Sequence, residues 1–214
     1  MESIVSVLYI TSLTAAFWGG LLALREKSFI IQKKRTNIIN RIPLTTLAIS
    51  GILIAFLVLQ LLFPSILISL DRNSQLVLKG EWWRIVTALF VQDRGLPGGI
   101  FNITTLLFIG TMAEQYWNIK SWLIIFFAGG ISSELVALLW QPNGAGNSVA
   151  NFSLAAGVCL YCLKGNPTLK VRILAIVFLS IGILLLIIKD IHGFALLSGF
   201  GLALILIHQS EKYV

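Results

Sequence analysis

Apolar residues along this chain come in long unbroken blocks, each close to the length that crosses a bilayer as a helix. Such runs, of about 20 residues each, fall near 4–24, 44–69, 99–117, 121–140, 147–163, 171–188 and 192–208. The pattern predicts seven transmembrane helices. Most connectors are short, so neighbouring helices run antiparallel. The connector at 70–98 is different: it is long for a bundle, and it carries Leu76-Val77-Leu78 and then Gly80-Glu81-Trp82-Trp83-Arg84. A partly helical element lying in the outer leaflet is expected there, with its tryptophans at the interface and its arginine on phosphate or carbonyl groups. Pro142-Asn143-Gly144-Ala145-Gly146 reads as a flexible approach to the fifth span.

Composition agrees with the pattern. The 214 residues are 57 % apolar and 12 % charged, with a mean hydropathy of +0.90, where soluble domains carry about a quarter charged residues. The fold class is therefore an all-α polytopic membrane protein, with nothing left over for a soluble domain. The net charge of +7 is a topology signal, and no nucleic-acid partner is expected. Arg25, Lys27, Lys33, Lys34, Arg35 and Arg41 crowd the first connector, Lys164, Lys170 and Arg172 sit in the fifth, and Lys120 and Lys212 fall on the same side. Arg72, Lys79, Arg84, Arg94 and Lys189 lie on the other. The positive-inside rule then makes the richer side cytoplasmic. Met1 is expected outside and Val214 inside, in a plasma or inner membrane, with the lipid bilayer itself as a partner.

Span 4–24 has no basic region before it and is too long for a cleaved signal, so it reads as an anchor. No lipidation motif is evident. Cys159 and Cys162 form C-x-x-C inside a span, without the strand–helix setting of a redox motif, and two cysteines cannot close a zinc site. They read as small packing residues, and no metal or cofactor is expected. A transporter would need charged residues lining a path or a pair of matching broken helices; only Glu134 qualifies.

Three polar residues converge on one level. Ser148 lies in the first turn of the fifth span, His192 opens the seventh, and Asn102 is about one turn into the third, roughly 5 Å along its axis. Serine, imidazole and amide are what acyl transfer requires as nucleophile, proton acceptor and oxyanion donor. The free backbone N–H groups at the start of the serine helix add donors. The same residue types also serve as ordinary interhelical hydrogen-bonding groups, and spacing alone leaves the two readings balanced. Glu134 is expected to be protonated or hydrogen-bonded, facing the bundle and too distant to serve His192. Asp190 stands two residues from His192 on a different helical face, and no orienting role is expected of it.

The flanking residues add a resemblance. Gly80-Glu81-Trp82-Trp83-Arg84-Ile85-Val86-Thr87, Phe101-Asn102 with Gly110 and Glu114, Pro142-Asn143 with G-N-S-V-A-N-F-S-L from Gly146, and H-G-F-A-L-L-S-G from His192 to Gly199 follow one another in order. Together they resemble the rhomboid family of intramembrane serine proteases, over more than half the chain. The resemblance implies a rhomboid-like six-helix core in residues 43–214, with residues 1–42 forming one extra N-terminal transmembrane helix and a basic connector. It implies a serine endopeptidase that cuts transmembrane substrate helices near the outer face with a Ser148–His192 dyad. Asn102 and Gly146 would support the oxyanion, and no cofactor is needed. The family's cut side is also the side on which charge counting puts Ser148.

The chain departs from the family's pattern at four places. Val149 replaces the glycine after the nucleophile, and Gly98 stands where a histidine helps the oxyanion. Ile191 precedes the base in place of a small residue, and Ala195 replaces the glycine three residues after it. Larger side chains at the crossing of the serine and histidine helices are expected to push the dyad apart by a fraction of an ångström to over one, and misplacement on that scale costs about 100-fold. The alternative is therefore a catalytically inactive rhomboid-like protein that binds membrane-protein clients.

Overall fold

Helix boundaries follow from where the backbone can and cannot continue. The computed structural model describes residues 2–25, 42–164 and 167–211, which contain ten α-helices and two short strands. Lys27, Lys33, Lys34, Arg35, Arg41 and Lys212, and the chain ends that charge counting orients, lie outside the described residues. In chain order the elements are α1 (Glu2–Arg25), α2 (Leu44–Leu62), α3 (Ser65–Leu70), β1 (Arg72–Asn73), α4 (Ser74–Leu78) and α5 (Arg84–Thr87). They continue with α6 (Gly95–Tyr116), α7 (Ile119–Trp140), β2 (Asn143–Gly144), α8 (Ser148–Lys164), α9 (Leu169–Ile187) and α10 (Ile191–Glu211).

Among the described residues, six of these helices are long and apolar enough to cross a membrane. The second expected span is shorter than its hydropathy suggests. Pro64 cannot extend a helix and biases Phe63 away from helical backbone, so α2 stops at Leu62 and α3 starts afresh. The third begins earlier than expected, at Gly95, because Pro97 falls in the first turn, where its missing N–H costs nothing.

α8 is the axis of the bundle. At 17 residues it is short for a span, yet nearly every residue from Val149 to Cys162 is buried. A helix apolar all round belongs in a protein interior, and α1, α6, α7, α9 and α10 all pack on it. Small residues let these helices come close. A Cβ on Gly199 of α10 would meet backbone atoms of Ser153 on α8, and one on Gly193 would meet the α9 backbone at Leu186 and Gly182. Ser153 Oγ then donates across the α8–α10 crossing to Ala195 O at 2.9 Å. Cys159 and Cys162 are buried within this packing.

The long connector is partly helical, as its composition suggests. Trp82 and Trp83 are exposed, but Arg84 turns inward and finds its carbonyls within the protein. It donates to Ile68 O at 2.9 Å, Asp71 O at 3.0 Å and the carboxylates of Asp71 and Glu81 at 2.9 and 2.7 Å. β1 pairs antiparallel with β2, Arg72 opposite Gly144 and Asn73 opposite Asn143, which ties this connector to the loop ahead of Ser148.

Candidate active site

Ser148 is the first residue of α8, and the loop that delivers it is held from both sides. The flexible approach expected from its sequence is not what the structure contains. Ser74 donates from N and Oγ to Pro142 O, Ala145 N donates to Asp93 Oδ2 at 3.1 Å, and Gly146 N donates to Ala88 O at 2.8 Å. Arg72 anchors the same loop through Gln141 O and Asn143 O, while its guanidinium makes a buried ion pair with Glu134. Glu134 is thus hydrogen-bonded, as expected, and its partner is an arginine that charge counting had assigned only to a membrane face. Leaving either charge alone in this interior would be costly.

Gly146 has φ +141°, a backbone region that side chains avoid. A Cβ there would stand 3.0 Å from Asn102 Nδ2 and 3.3 Å from Gln92 Oε1, so no other residue fits without moving the polar groups around Ser148.

The dyad is closed. His192 Nε2 lies 2.8 Å from Ser148 Oγ. The widening expected from Val149 and Ala195 does not occur, because the close contact of the two helices is made further along, at Gly199 and Ser153. Val149 is buried in the core beside the serine.

Asp190 requires a correction. Face reasoning treats it as helical, but it is the residue before α10. Lys189 takes a left-handed conformation (φ 58°), and Lys189 N and Asp190 N donate to Leu186 O and Leu185 O. This double closure of the α9 end is the Schellman arrangement, with lysine in the place usually taken by glycine. It turns the chain sharply enough for Asp190 to cap α10, where aspartate is a favoured residue. Its Oδ1 accepts from His192 N at 2.9 Å and lies 2.7 Å from His192 Nδ1. An ionised carboxylate only accepts, so Nδ1 carries hydrogen, and in the neutral ring Nε2 is left to accept from the serine hydroxyl.

Asp190 Oδ2 accepts a third bond, from Tyr9 Oη of α1 at 2.5 Å. Burial acts to raise the Asp190 carboxyl, but the bonds from His192 and Tyr9 outweigh it and hold it at about 2. Two rings enclose the imidazole, Tyr9 at 4.2 Å and Phe152 at 4.9 Å between centroids.

On the other side of Ser148, Asn102 Nδ2 donates to Gln92 Oε1 at 2.7 Å, and Gln92 Nε2 donates to Asn147 Oδ1 at 3.0 Å. Asn151 Nδ2 donates to Asn102 O at 2.9 Å, and Gln60 grips the Gln92 backbone from α2 through two 2.8 Å bonds. An amide nitrogen carries two hydrogens, so Asn102 keeps one beyond its bond to Gln92. Ser148, Asn102, Gly146 and His192 all line one cavity of about 830 Å³, together with Tyr9 and Asp190. Gly98 lines it too and contributes no side chain.

Asp190, Tyr9 and Gln92 are the site residues that sequence reasoning missed. Asp190 was detectable as an aspartate immediately before a helix start, and Gln60 and Gln92 as amides among apolar neighbours. Tyr9 carried no local signal.

Comparison with known proteins bears on the whole arrangement. The family model described as "Rhomboid domain" matches residues 79–209, more than half of the chain. The chain is 29 % identical over 117 residues to "Rhomboid protease GluP" of Bacillus subtilis (strain 168), covering 52 % of this chain and 23 % of that one. It is 29 % identical over 147 residues to "Rhomboid-like protease 3" of Toxoplasma gondii, covering 61 % and 53 %. It is 32 % identical over 127 residues to "Inactive RHOMBOID-like protein 8" of Arabidopsis thaliana, covering 56 % and 36 %. The chain thus spans between about a quarter and just over half the length of these relatives. A serine and an imidazole in contact among apolar helices, within a stretch matched end to end by one family model, give a single conclusion: the chain belongs to the rhomboid family and is an integral multi-pass membrane protein.

Proposed function

We propose that this protein is an intramembrane serine endopeptidase that cuts the transmembrane helices of substrate proteins. One observation carries the reading: Ser148 Oγ and His192 Nε2 are 2.8 Å apart in an open cavity, with the other imidazole nitrogen on a carboxylate. Ser148 Oγ attacks the scissile carbonyl carbon while His192 takes its proton. The oxyanion that forms is met by the Ser148 backbone N–H, free at the start of α8, and by the spare hydrogen of Asn102. His192 returns the proton to the departing amine, and a water entering the cavity hydrolyses the acyl-enzyme by the same two steps. No metal or cofactor is required by this chemistry.

The excess of basic residues on the far side supports an orientation with Ser148 near the outer face, Met1 outside and Val214 in the cytoplasm, in a plasma or inner membrane. Substrate helices that unwind readily near that face suit the site, because an intact helix keeps its carbonyls hydrogen-bonded.

Gly98 favours a second reading, an inactive client-binding protein, since it offers no side-chain donor to the oxyanion; the 32 % identity to a relative named as inactive points the same way. One experiment separates the two. The purified protein is treated with a fluorophosphonate serine probe alongside Ser148→Ala and His192→Ala. The protease reading expects labelling that both variants abolish. Labelling that persists in Ser148→Ala, or none in any detergent or lipid, refutes it.

A further inference from the structure

The N-terminal helix is described by sequence as an addition to a six-helix core, yet it reaches the centre of the site. α1 runs along α9 and α8 and touches α6. Its buried stripe, Tyr9, Ser12, Leu13, Ala16 and Ala23, has helical spacing. It is pinned at both ends: Tyr9 Oη donates to Asp190 Oδ2 at 2.5 Å, and Tyr116 Oη donates to Gly20 O at 2.6 Å. Tyr9, Asp190 and His192 are all buried.

We infer that Tyr9 of α1 and Asp190 ahead of α10 act together as positioning residues that set the tautomer and the orientation of His192, making α1 part of the catalytic unit. The inference deepens the protease reading and rests on it.

The geometry supplies the reason for each partner. His192 hangs from the first turn of a helix, where its ring could turn about two bonds and present either nitrogen to Ser148. Asp190 removes that freedom by holding the backbone N–H and Nδ1 of the same residue on one oxygen. The carboxylate could itself rotate, and Tyr9 prevents this by occupying the second oxygen. The Tyr9 ring at the same time covers one face of the imidazole, with Phe152 on another side. Every acceptor direction Asp190 uses is thereby filled by a group that also touches His192 or belongs to it. As His192 takes the serine proton, the adjacent carboxylate stabilises the imidazolium. The other charged groups facing the cavity are Asp93, Arg94 and the mutually paired Arg72 and Glu134.

The chain has two histidines, so protein labelled with ¹⁵N-histidine gives two ring systems, which His208→Gln assigns. In the full chain in detergent or bilayers, neutral His192 is expected in the Nδ1–H form, opposite to the preference of free imidazole. Asp190→Ala should shift it toward Nε2–H and lower kcat on a fluorogenic transmembrane substrate by on the order of 10²–10⁴. Asp190→Asn, which preserves the helix cap, should still lose tenfold or more in kcat, on the order of 10–10⁴, because the charge is gone and the amide can donate to Nδ1. Tyr9→Phe keeps the ring and should lower kcat by about tenfold to 100-fold with KM within about twofold, the share of one hydrogen bond to a charged group.

A wild-type His192 in the Nε2–H form, or a tautomer that ignores Asp190→Ala, overturns the inference even in a protein that labels at Ser148. Undiminished kcat in Tyr9→Phe overturns the part assigned to α1. An Asp190-dependent tautomer in a protein that neither labels nor cleaves upholds the positioning pair and refutes the protease reading instead.

Discussion

Adding one methyl group at Gly199 should disarm a dyad that lies two turns away. In Gly199→Ala the new Cβ would stand 2.5 Å from Ser153 Cα and 2.7 Å from Ser153 C, against the 3.4 Å at which ordinary contact begins. Both are backbone atoms, so no side chain can swing aside and α8 and α10 must part by roughly 1 Å. Overpacking of this kind costs about 1–3 kcal/mol, and the rigid contact argues for the upper end. The same movement separates Ser148, five residues back on α8, from His192, seven residues back on α10. Their 2.8 Å bond would stretch past hydrogen-bond reach, and a misplacement of about 1 Å costs on the order of 100-fold in rate.

Gly201 is the internal control. It lies in the same helix with nothing within 4 Å of its added Cβ, so Gly201→Ala should gain the helix preference of alanine, about 0.5–1 kcal/mol. Unfolding followed by tryptophan fluorescence in detergent, with fluorophosphonate labelling on the same samples, reads both effects. The reasoning is refuted if Gly199→Ala melts at or above the wild-type temperature and labels at the wild-type rate.

Removing one partner of the buried Arg72–Glu134 pair strands a charge, so Arg72→Leu should lose about 3–5 kcal/mol by thermal unfolding. The double variant Arg72→Leu with Glu134→Leu should recover most of it. Asn102→Ala should lower kcat by about 10²–10³ with KM little changed, the signature of a donor used only in the transition state. The folded Asp190 carboxyl sits at about 2, below its ordinary 3.8. Its contribution to stability, about 2 kcal/mol, is therefore complete above pH 4 and disappears as pH falls from about 4 through 2. Melting temperature against pH should show this slope in the wild type and a shallower one in Asp190→Asn.

What the sequence discloses depends on how local the cause is. Helix length and polarity are properties of contiguous residues, so the seven apolar helices were legible, six of them long enough to span and α8 shorter, with the largest boundary differences where proline acts: Pro64 ends α2 early and Pro97 admits an earlier start for α6. Ser148, His192 and Asn102 were legible because depth along a helix can be counted from its end. Helical spacing on both sides of His192 misplaces Asp190, because a left-handed Lys189 puts it outside α10. The Gln60–Gln92–Asn102 network and Tyr9 depend on which helices become neighbours, and no periodicity within a single span specifies that. The glycines of the loop before Ser148 predict flexibility, although the loop is held by Arg72 and Ser74, some 70 residues earlier.

The bond between Tyr9 and Asp190 joins residues 181 positions apart, and this has a consequence for how the protein is made. A chain entering the membrane helix by helix presents α1 early and α10 late. Ser148 is in place before either His192 or Asp190 has been synthesised, and Tyr9 waits through nearly the whole of synthesis for its partner. The set Tyr9–Asp190–His192–Ser148 therefore closes only when α1, α8 and α10 have all inserted and docked. A chain stalled at any earlier point holds Ser148 among helices still being delivered, without the imidazole that lies against it in the finished bundle. Completion of the site reports completion of the bundle.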